Sequence, residues 1–233
     1  MGQLVTAISH ELSKPLSGIN ILAQASLSNI EKNSPLSDDL KKIIEETAKM
    51  IKVLENARLF ALESELRKSS IDINDPIKDT LMLVGQELKL HNINVYTSLS
   101  GGLPKIYADH NQLQHIFLNI IANARDAIDS KKDSQGGSLT IETKNGSKKN
   151  TVEVTFKDNG CGIPSGNLKK VFIPFFTTKS SSGAIGLGLC TAYRIIENHH
   201  GNIEVESDEN MGTTIKITVP AAIEDDSGTW PQN

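Results

Sequence analysis

Apolar residues in the first seventy positions recur every three or four residues, the spacing of amphipathic helices. The pattern stops at Asn33, Ser34 and Pro35, and Ser37 then offers an N-cap for a second helix. We therefore expect two helices joined by a short turn. The stripe positions are Leu4, Ile8, Leu12, Leu16, Ile19 and Ala23 in the first helix, and Leu40, Ile43, Thr47, Met50, Leu54, Ala57 and Ala61 in the second.

The two stripes are together too wide for a single hairpin to bury. A dimer in which two hairpins form a four-helix bundle would cover them. Packing against the rest of the same chain is the alternative. The pattern therefore favours a homodimer formed through the helical hairpin.

A short polar segment, 67–70, is expected to be a linker, and the pattern changes from helical to mixed beyond it. Strand-like alternation occupies 93–99, 138–144, 151–157, 202–207 and 213–219, while helical spacing occupies about 75–90, 109–129 and 187–199. The Asn145-Gly146 pair predicts a hairpin, so we expect a mixed or antiparallel sheet. The fold class is therefore α+β, with a helical-hairpin domain over 1–68, an α/β sandwich over 71–221 and a polar tail over 222–233.

Composition excludes several classes of protein. The 233 residues carry 24 basic and 28 acidic side chains, so the basic surface of a nucleic-acid-binding protein is not expected. No window approaches the roughly 18 uninterrupted apolar residues of a membrane helix, and no secretion signal precedes the first helix. Cys161 and Cys190 are expected to be reduced thiols. We predict a cytoplasmic chain without membrane contact, although a longer protein containing it could be anchored in a membrane.

His10 lies nearly opposite the apolar stripe of the first helix, so we expect an exposed imidazole. Glu11 could hold that ring in one tautomer and make its other nitrogen more nucleophilic. Pro15, one turn later, frees the carbonyl of Glu11 and is expected to bend the helix. These features favour a reactive histidine, and a surface histidine without a role is the alternative.

Asn119 and Asn123 lie one turn apart on a predicted helix, on a different face from its apolar stripe. Asparagine is a poor residue for a helix interior. Two amide oxygens at this spacing suit a ligand or a hard cation. The alternative is that both are ordinary polar residues on a solvated face.

The chain has two glycine clusters, one directly after a predicted strand and one directly before a predicted helix. Asp158 ends a strand, and Gly160 and Gly162 come where the backbone must turn or approach a ligand closely. Gly186 and Gly188 lead into a helix whose first N–H groups could bind phosphate. Neither cluster has the lysine and hydroxyl residue of a Walker loop.

Three phenylalanines, Phe172, Phe175 and Phe176, crowd into the segment between the two glycine clusters, although aromatic residues make up only 4% of the chain. This segment is typical of a mobile lid with hydrophobic anchors. A small satellite core beneath a loop would have the same composition.

Six segments in this order resemble the sequence boxes of two-component sensor histidine kinases. They are ISHELSKPL, NIIANA, DNGCGIP, FIPFFTTK, GLGL and MGTT, and the resemblance covers the chain from about residue 4 to residue 220. The resemblance implies a dimerisation and phosphotransfer hairpin that forms a dimeric four-helix bundle. It also implies an ATP-binding sandwich of the Bergerat type, shared with gyrase-type and chaperone ATPases.

The resemblance assigns roles to the residues that match each box. His10 would be the phosphoacceptor and Glu11 its polarising base, while Asn123 would be a ligand of Mg²⁺ with Asn119 beside it. The remaining nucleotide contacts implied are Asp158 to the adenine amino group, Gly160 and Gly162 beside the base, Thr213 near the base, Gly186 and Gly188 at the phosphates, and Lys179 from the lid.

The implied activity is ATP-dependent autophosphorylation on His10, followed by transfer to an aspartate of a response-regulator receiver domain. Asp126 and Ala184 depart from the family pattern, which keeps open an ATP-binding scaffold without phosphoryl transfer. ATP hydrolysis is disfavoured because Asn119 stands where a hydrolytic relative has a glutamate. Lys14 stands where members with phosphatase activity carry Thr or Asn, so that activity is not implied.

Overall fold

Two long helices make up the first part of the chain in the computed structural model, as the apolar spacing predicts. They are α1 (Gly2–Asn29) and α2 (Leu36–Ala61). The residues that the structure describes are 2–30, 34–61, 67–131, 136–178 and 186–222. Asn20 joins the helices, because its Nδ2 donates to Ile44 O at 3.0 Å and to Thr47 Oγ1 at 2.7 Å.

The expected N-cap at Ser37 is wrong, because α2 already begins at Leu36. The Ser37 N–H instead bonds to Ser34 O at 2.9 Å and closes the first turn. In α1 the helix continues through Pro15.

Many large apolar side chains of the hairpin are exposed, although Ala23 and Thr47 are buried between the helices. The exposed side chains are Leu12, Ile19, Ile21, Leu22, Leu36, Ile43 and Met50. Exposed apolar side chains in such number are unusual for a free helical surface and are typical of an interaction face.

The chain divides into two compact units, Met1–Glu65 with Thr177–Leu187, and Leu66–Phe176 with Gly188–Asn233. The elements of the second unit are β1 (Ser69–Ile71), α3 (Asn74–Leu90), β2 (Ile93–Leu99), β3 (Ile106–Ala108), α4 (His110–Ser130), β4 (Gly137–Asn145), β5 (Thr151–Asp158), α5 (Ser165–Leu168), α6 (Gly188–Asn198), β6 (Asn202–Asp208) and β7 (Gly212–Pro220).

Five strands of the second unit form one mixed sheet in the order β2-β4-β5-β7-β6. The β2–β4 pair is parallel and the other pairs are antiparallel, so of the two predicted possibilities, mixed or antiparallel, the sheet is mixed. Alternation along β5 turns Val152, Val154 and Phe156 into the core, where the Phe156 ring lies 5.3 Å from that of Phe117 on α4.

The opposite face of the sheet is polar. Lys144 Nζ lies 2.9 Å from Glu153 Oε1, and Lys216 Nζ lies 3.4 Å from Glu204 Oε2, each across a strand pair. With helices on one face and charged side chains on the other, the unit is a two-layer α/β sandwich.

Two short strands are not predicted by the sequence. β1 pairs with β3, so Ser69 and Ser70 belong to a strand and not to a linker. Strands of three residues are too short to show an alternating pattern. The β4–β5 hairpin is confirmed, but Gly146 N bonds to Thr151 O at 2.8 Å and residues 147–150 make the turn. Asn150 has the left-handed backbone there, with φ of 58°.

Among the helices that the structure describes, none is long and apolar enough to cross a membrane.

Candidate active site

Helix α4 carries Asn119 and Asn123 one turn apart. Asp109 caps the helix, because its side chain accepts from Gln112 N at 3.1 Å. The core face of α4 is buried and consists of Leu113, Ile116, Phe117, Ile120, Ile121 and Ala124. Both asparagines are half-buried beside that face.

The side-chain amide nitrogen of Asn119 is buried and unpaired among the residues that the structure describes. A buried polar group left unpaired costs about 1–3 kcal/mol. Gly188, the first residue of α6, lies beside it, and a β-carbon at Gly188 would lie 3.7 Å from Asn119 Cγ. A polar ligand at the start of α6 would satisfy both the amide and the helix N–H groups.

Asp158 is held rigidly where β5 ends, with only 8% of its surface exposed. Its Oδ1 accepts from Gly160 N at 2.8 Å and from Thr213 N at 3.2 Å. Gly212 is required next to it, since its φ is 108° and a β-carbon would lie 2.0 Å from Asp158 O. The carboxylate therefore has one orientation.

The two glycines after Asp158 are both explained by close approach to protein backbone. A β-carbon at Gly160 would lie 2.7 Å from the backbone of Ala127 on α4, where Cys161 N also donates to Ala127 O at 2.9 Å. At Gly162, φ is 68° and a β-carbon would lie 2.1 Å from Asp208 O. Their contact with a bound base stays a prediction.

Thr213 lies across the β6–β7 pair from Ser207. The two hydroxyl oxygens are 3.1 Å apart, and Ser207 Oγ also accepts from Ile163 N at 2.8 Å. Thr213 is 8% exposed, like Asp158. The sequence pattern does not identify Ser207, because its contacts arise from the strand register and not from a local motif.

His199 connects the end of α6 with the start of α4. Its Nε2 accepts from Asp109 N at 3.0 Å and its Nδ1–H donates to Ile195 O at 2.7 Å. Burial lowers the pKa of His199, so the ring is kept neutral in the fold. The sequence does not predict this role of His199 either, because the residue belongs to no recognised motif.

His10 lies in α1, and its side chain is outside the described residues, as are Lys179 and Ala184. Glu11 is exposed, and its Oε1 lies 2.7 Å from Lys14 Nζ. A surface pair of this kind contributes little stability. The predicted contact between Glu11 and His10 is therefore not tested.

Gly186, Gly188 and Asp126, the remaining positions named from the sequence, lie in different environments. Gly186 has φ of 73° and belongs to the same unit as α1 and α2, whereas Gly188 belongs to the sandwich. Asp126 accepts from Arg125 Nη2 at 2.6 Å, and Arg125 also pairs with Glu87 on α3.

The phenylalanine segment is only partly anchored. The Phe172 ring packs against the core and lies 5.3 Å from the Tyr193 ring. Phe176 lies 5.9 Å from Lys170 Nζ, and Phe175 is 69% exposed with φ of 66°. Phe172 thus behaves as a satellite of the core, while an uncovered aromatic ring with left-handed backbone marks Phe175 as strained.

Two family models match the chain. The model of the histidine kinase-, DNA gyrase B- and HSP90-like ATPase matches residues 108–223, and that of the His Kinase A (phospho-acceptor) domain matches residues 1–65.

Three curated relatives illustrate the similarity. Sporulation kinase E of Bacillus subtilis (strain 168) is 29% identical over 220 residues, covering 94% of this chain and 28% of that protein. NtrB of Rhizobium leguminosarum bv. phaseoli, a sensory histidine kinase/phosphatase, is 29% identical over 231 residues, 94% of this chain and 58% of that one. AtoS of Escherichia coli (strain K12), a signal transduction histidine-protein kinase, is 30% identical over 221 residues, covering 94% of this chain and 35% of that protein. The chain spans less than two thirds of each relative.

Solved structures share the fold. Full-length ShkA in complex with AMPPNP has a TM-score of 0.75 at 22% identity, covering 95% of this chain and 46% of that chain. The catalytic domain of the histidine kinase ThkA has a TM-score of 0.57 at 26% identity, covering 67% and 97%. ThkA in complex with the response regulator TrrA has a TM-score of 0.65 at 21% identity, covering 94% and 61%. The predicted helical hairpin followed by a Bergerat-type sandwich is confirmed.

Proposed function

Because this chain belongs to the two-component sensor histidine kinases and carries their catalytic core, we propose that it uses ATP to phosphorylate His10. The phosphoryl group then passes to an aspartate of a response-regulator receiver domain. The observation that carries the proposal is the succession, in one chain, of a phosphoacceptor match containing His10 and an ATPase match containing Asn119, Asn123 and Asp158.

ATP fits the residues of the sandwich. Asp158, oriented by two backbone donors, accepts from the adenine amino group, and Thr213 lies beside it. The buried Asn119 amide and the first N–H groups of α6 receive the phosphates at Gly188. The other contacts in this proposal are Gly160 and Gly162 beside the base, with Gly186 and Lys179 at the phosphates.

Asn123 would hold Mg²⁺ through its amide oxygen, one turn from Asn119. An ion held there would neutralise phosphate charge during transfer of the γ-phosphoryl group. The residues of this chain bind and orient the nucleotide around that ion.

His10 supplies the nucleophile. A ring nitrogen forms a bond to the γ-phosphorus while the bond from that phosphorus to the bridging oxygen breaks, and ADP leaves with the electron pair. Glu11 orients the ring and takes up its proton. Since Glu11 pairs with Lys14, this role requires the exposed pair to open, at little cost.

The hairpin is the proposed dimer interface. Its uncovered apolar side chains, among them Ile21, Leu22 and Met50, would be buried against a second copy in a four-helix bundle. The complex of ThkA with TrrA supports a receiver domain as the second partner. We place the phosphotransfer in the cytoplasm.

Incubation with γ-labelled ATP and Mg²⁺ tests the proposal. Wild type and the control His91→Gln should acquire label that is lost in acid and kept in alkali, whereas His10→Gln should acquire none. A wild type without label, or an equally labelled His10→Gln variant, would contradict the proposal.

An ATP-binding scaffold is the second candidate. It is favoured by Asp126, because many family members have a basic residue at that position. The Asp126 carboxylate accepts a hydrogen bond from Arg125. ATP binding by wild type without any label on His10 would support this candidate over the kinase.

A further inference from the structure

The Ser207 hydroxyl lies at the meeting point of three groups beside the proposed adenine site. Ile163 N donates to Ser207 Oγ at 2.8 Å, and Gly212 O lies 2.8 Å from it. Thr213 Oγ1 lies 3.1 Å away. Ser207 thereby joins the loop after Gly162 to the β6–β7 hairpin.

Counting hydrogens assigns the donors in this group. A hydroxyl has one hydrogen and two acceptor lone pairs. Ile163 N–H uses one lone pair of Ser207, and the carbonyl of Gly212 can only accept, so it receives the Ser207 hydrogen. Thr213 must then donate its own hydrogen to the second lone pair of Ser207.

Thr213 is consequently an acceptor toward any further partner. Asp158, whose Oδ1 accepts from Thr213 N, is an acceptor as well. An ionised carboxylate has about four acceptor sites and no donor, so Asp158 can meet a ligand only as an acceptor. Two adjacent acceptors match the exocyclic amino group of adenine, which carries two hydrogens.

We propose that Ser207 is a positioning residue for base selection, which holds the Thr213 hydroxyl as an acceptor and thereby disfavours guanine. Guanine presents an oxygen acceptor where adenine presents its amino group, and a site built from acceptors leaves that oxygen unpaired. The inference rests on the proposed ATP-binding function and adds Ser207 to it.

The ratio of affinities for Mg·ATP and Mg·GTP tests this role. Ser207→Ala frees the Thr213 hydrogen to turn toward guanine, so the preference for ATP should fall about tenfold, the effect of one hydrogen bond. Ser207→Thr keeps a hydroxyl at this position and should keep the preference for ATP. Ser98→Ala, an exposed serine on β2, is the matched control and should leave the ratio unchanged.

A double-mutant cycle separates positioning from a merely structural role. In a Thr213→Val background, Ser207→Ala should change the ratio little further, because Ser207 acts through Thr213. Equal losses of affinity for both nucleotides in Ser207→Ala would overturn the inference. If Ser207→Ala does not fold, Ser207→Cys is measured instead, and an unchanged ratio in that variant would overturn it. A wild type that binds neither nucleotide refutes the proposed function itself.

Discussion

Gly160 lies against the backbone of α4, and its replacement by alanine tests whether that approach positions the loop after Asp158. The added β-carbon would lie 2.7 Å from the Cβ and carbonyl carbon of Ala127. Carbon atoms in contact are ordinarily about 3.5–4.0 Å apart, so the loop must move by about 1 Å. The displacement strains two hydrogen bonds, from Gly160 N to Asp158 and from Cys161 N to Ala127 O.

Overpacking of this kind costs about 1–3 kcal/mol. For a unit of about 150 residues, each kcal/mol lowers the Tm by about 2–4 °C, so Gly160→Ala should lower it by about 2–12 °C. Because the strained hydrogen bond from Gly160 N no longer orients Asp158 as well, the Kd for ATP should rise by up to about tenfold.

Differential scanning calorimetry and titration with ATP measure both effects. Gly166→Ala is the matched control, since Gly166 has open space around the position of a β-carbon and should keep both values within error. A Gly160→Ala variant with unchanged Tm and unchanged affinity would refute the reasoning that α4 supports the loop.

Three further predictions concern other parts of the chain. Because burial lowers the pKa of His199, the unfolded chain binds a proton below about pH 6.5, while the folded chain binds it only at a lower pH. Stability should therefore fall as the pH drops from 7.5 to 5.5 in urea titrations, and His199→Phe should show a smaller fall; an equal fall contradicts this. Asp158→Asn keeps an acceptor for Thr213 N but turns an amide toward the base, so ATP affinity should drop about tenfold or more with little change in Tm. Met50→Glu should shift the dimer toward monomer in sedimentation velocity, whereas Ala48→Glu on another side of α2 should not, and equal shifts would count against the interface.

The larger elements of the sandwich follow from local periodicity. β2 has the predicted bounds, and β4, β5, β6 and β7 differ from them by one residue at one or both ends. Their predictability has a physical basis, since a half-buried strand must alternate polar and apolar residues along its own length. The strands β1 and β3 have no room for such a pattern, and they are stabilised by each other.

The candidate site is predicted in part. Local signals identify Asn119, Asn123 and Asp158, because each stands in a motif or at an element end. The same signals place Gly160 and Gly162 where the backbone turns or approaches a ligand closely, and the structure brings them against the backbones of Ala127 and Asp208. A glycine reveals that something approaches closely but not what does.

The sequence by itself determined the long helices and the five strands of the mixed sheet, indicated the family, and named the candidate site residues. Only the tertiary structure decided which backbone donors orient Asp158, that His199 connects α6 to α4, and that Ser207 lies opposite Thr213. The physical reason is the distance along the sequence over which each effect acts. Periodicity and capping act over a few neighbouring residues, while these contacts join residues up to 90 positions apart through sheet register and helix packing.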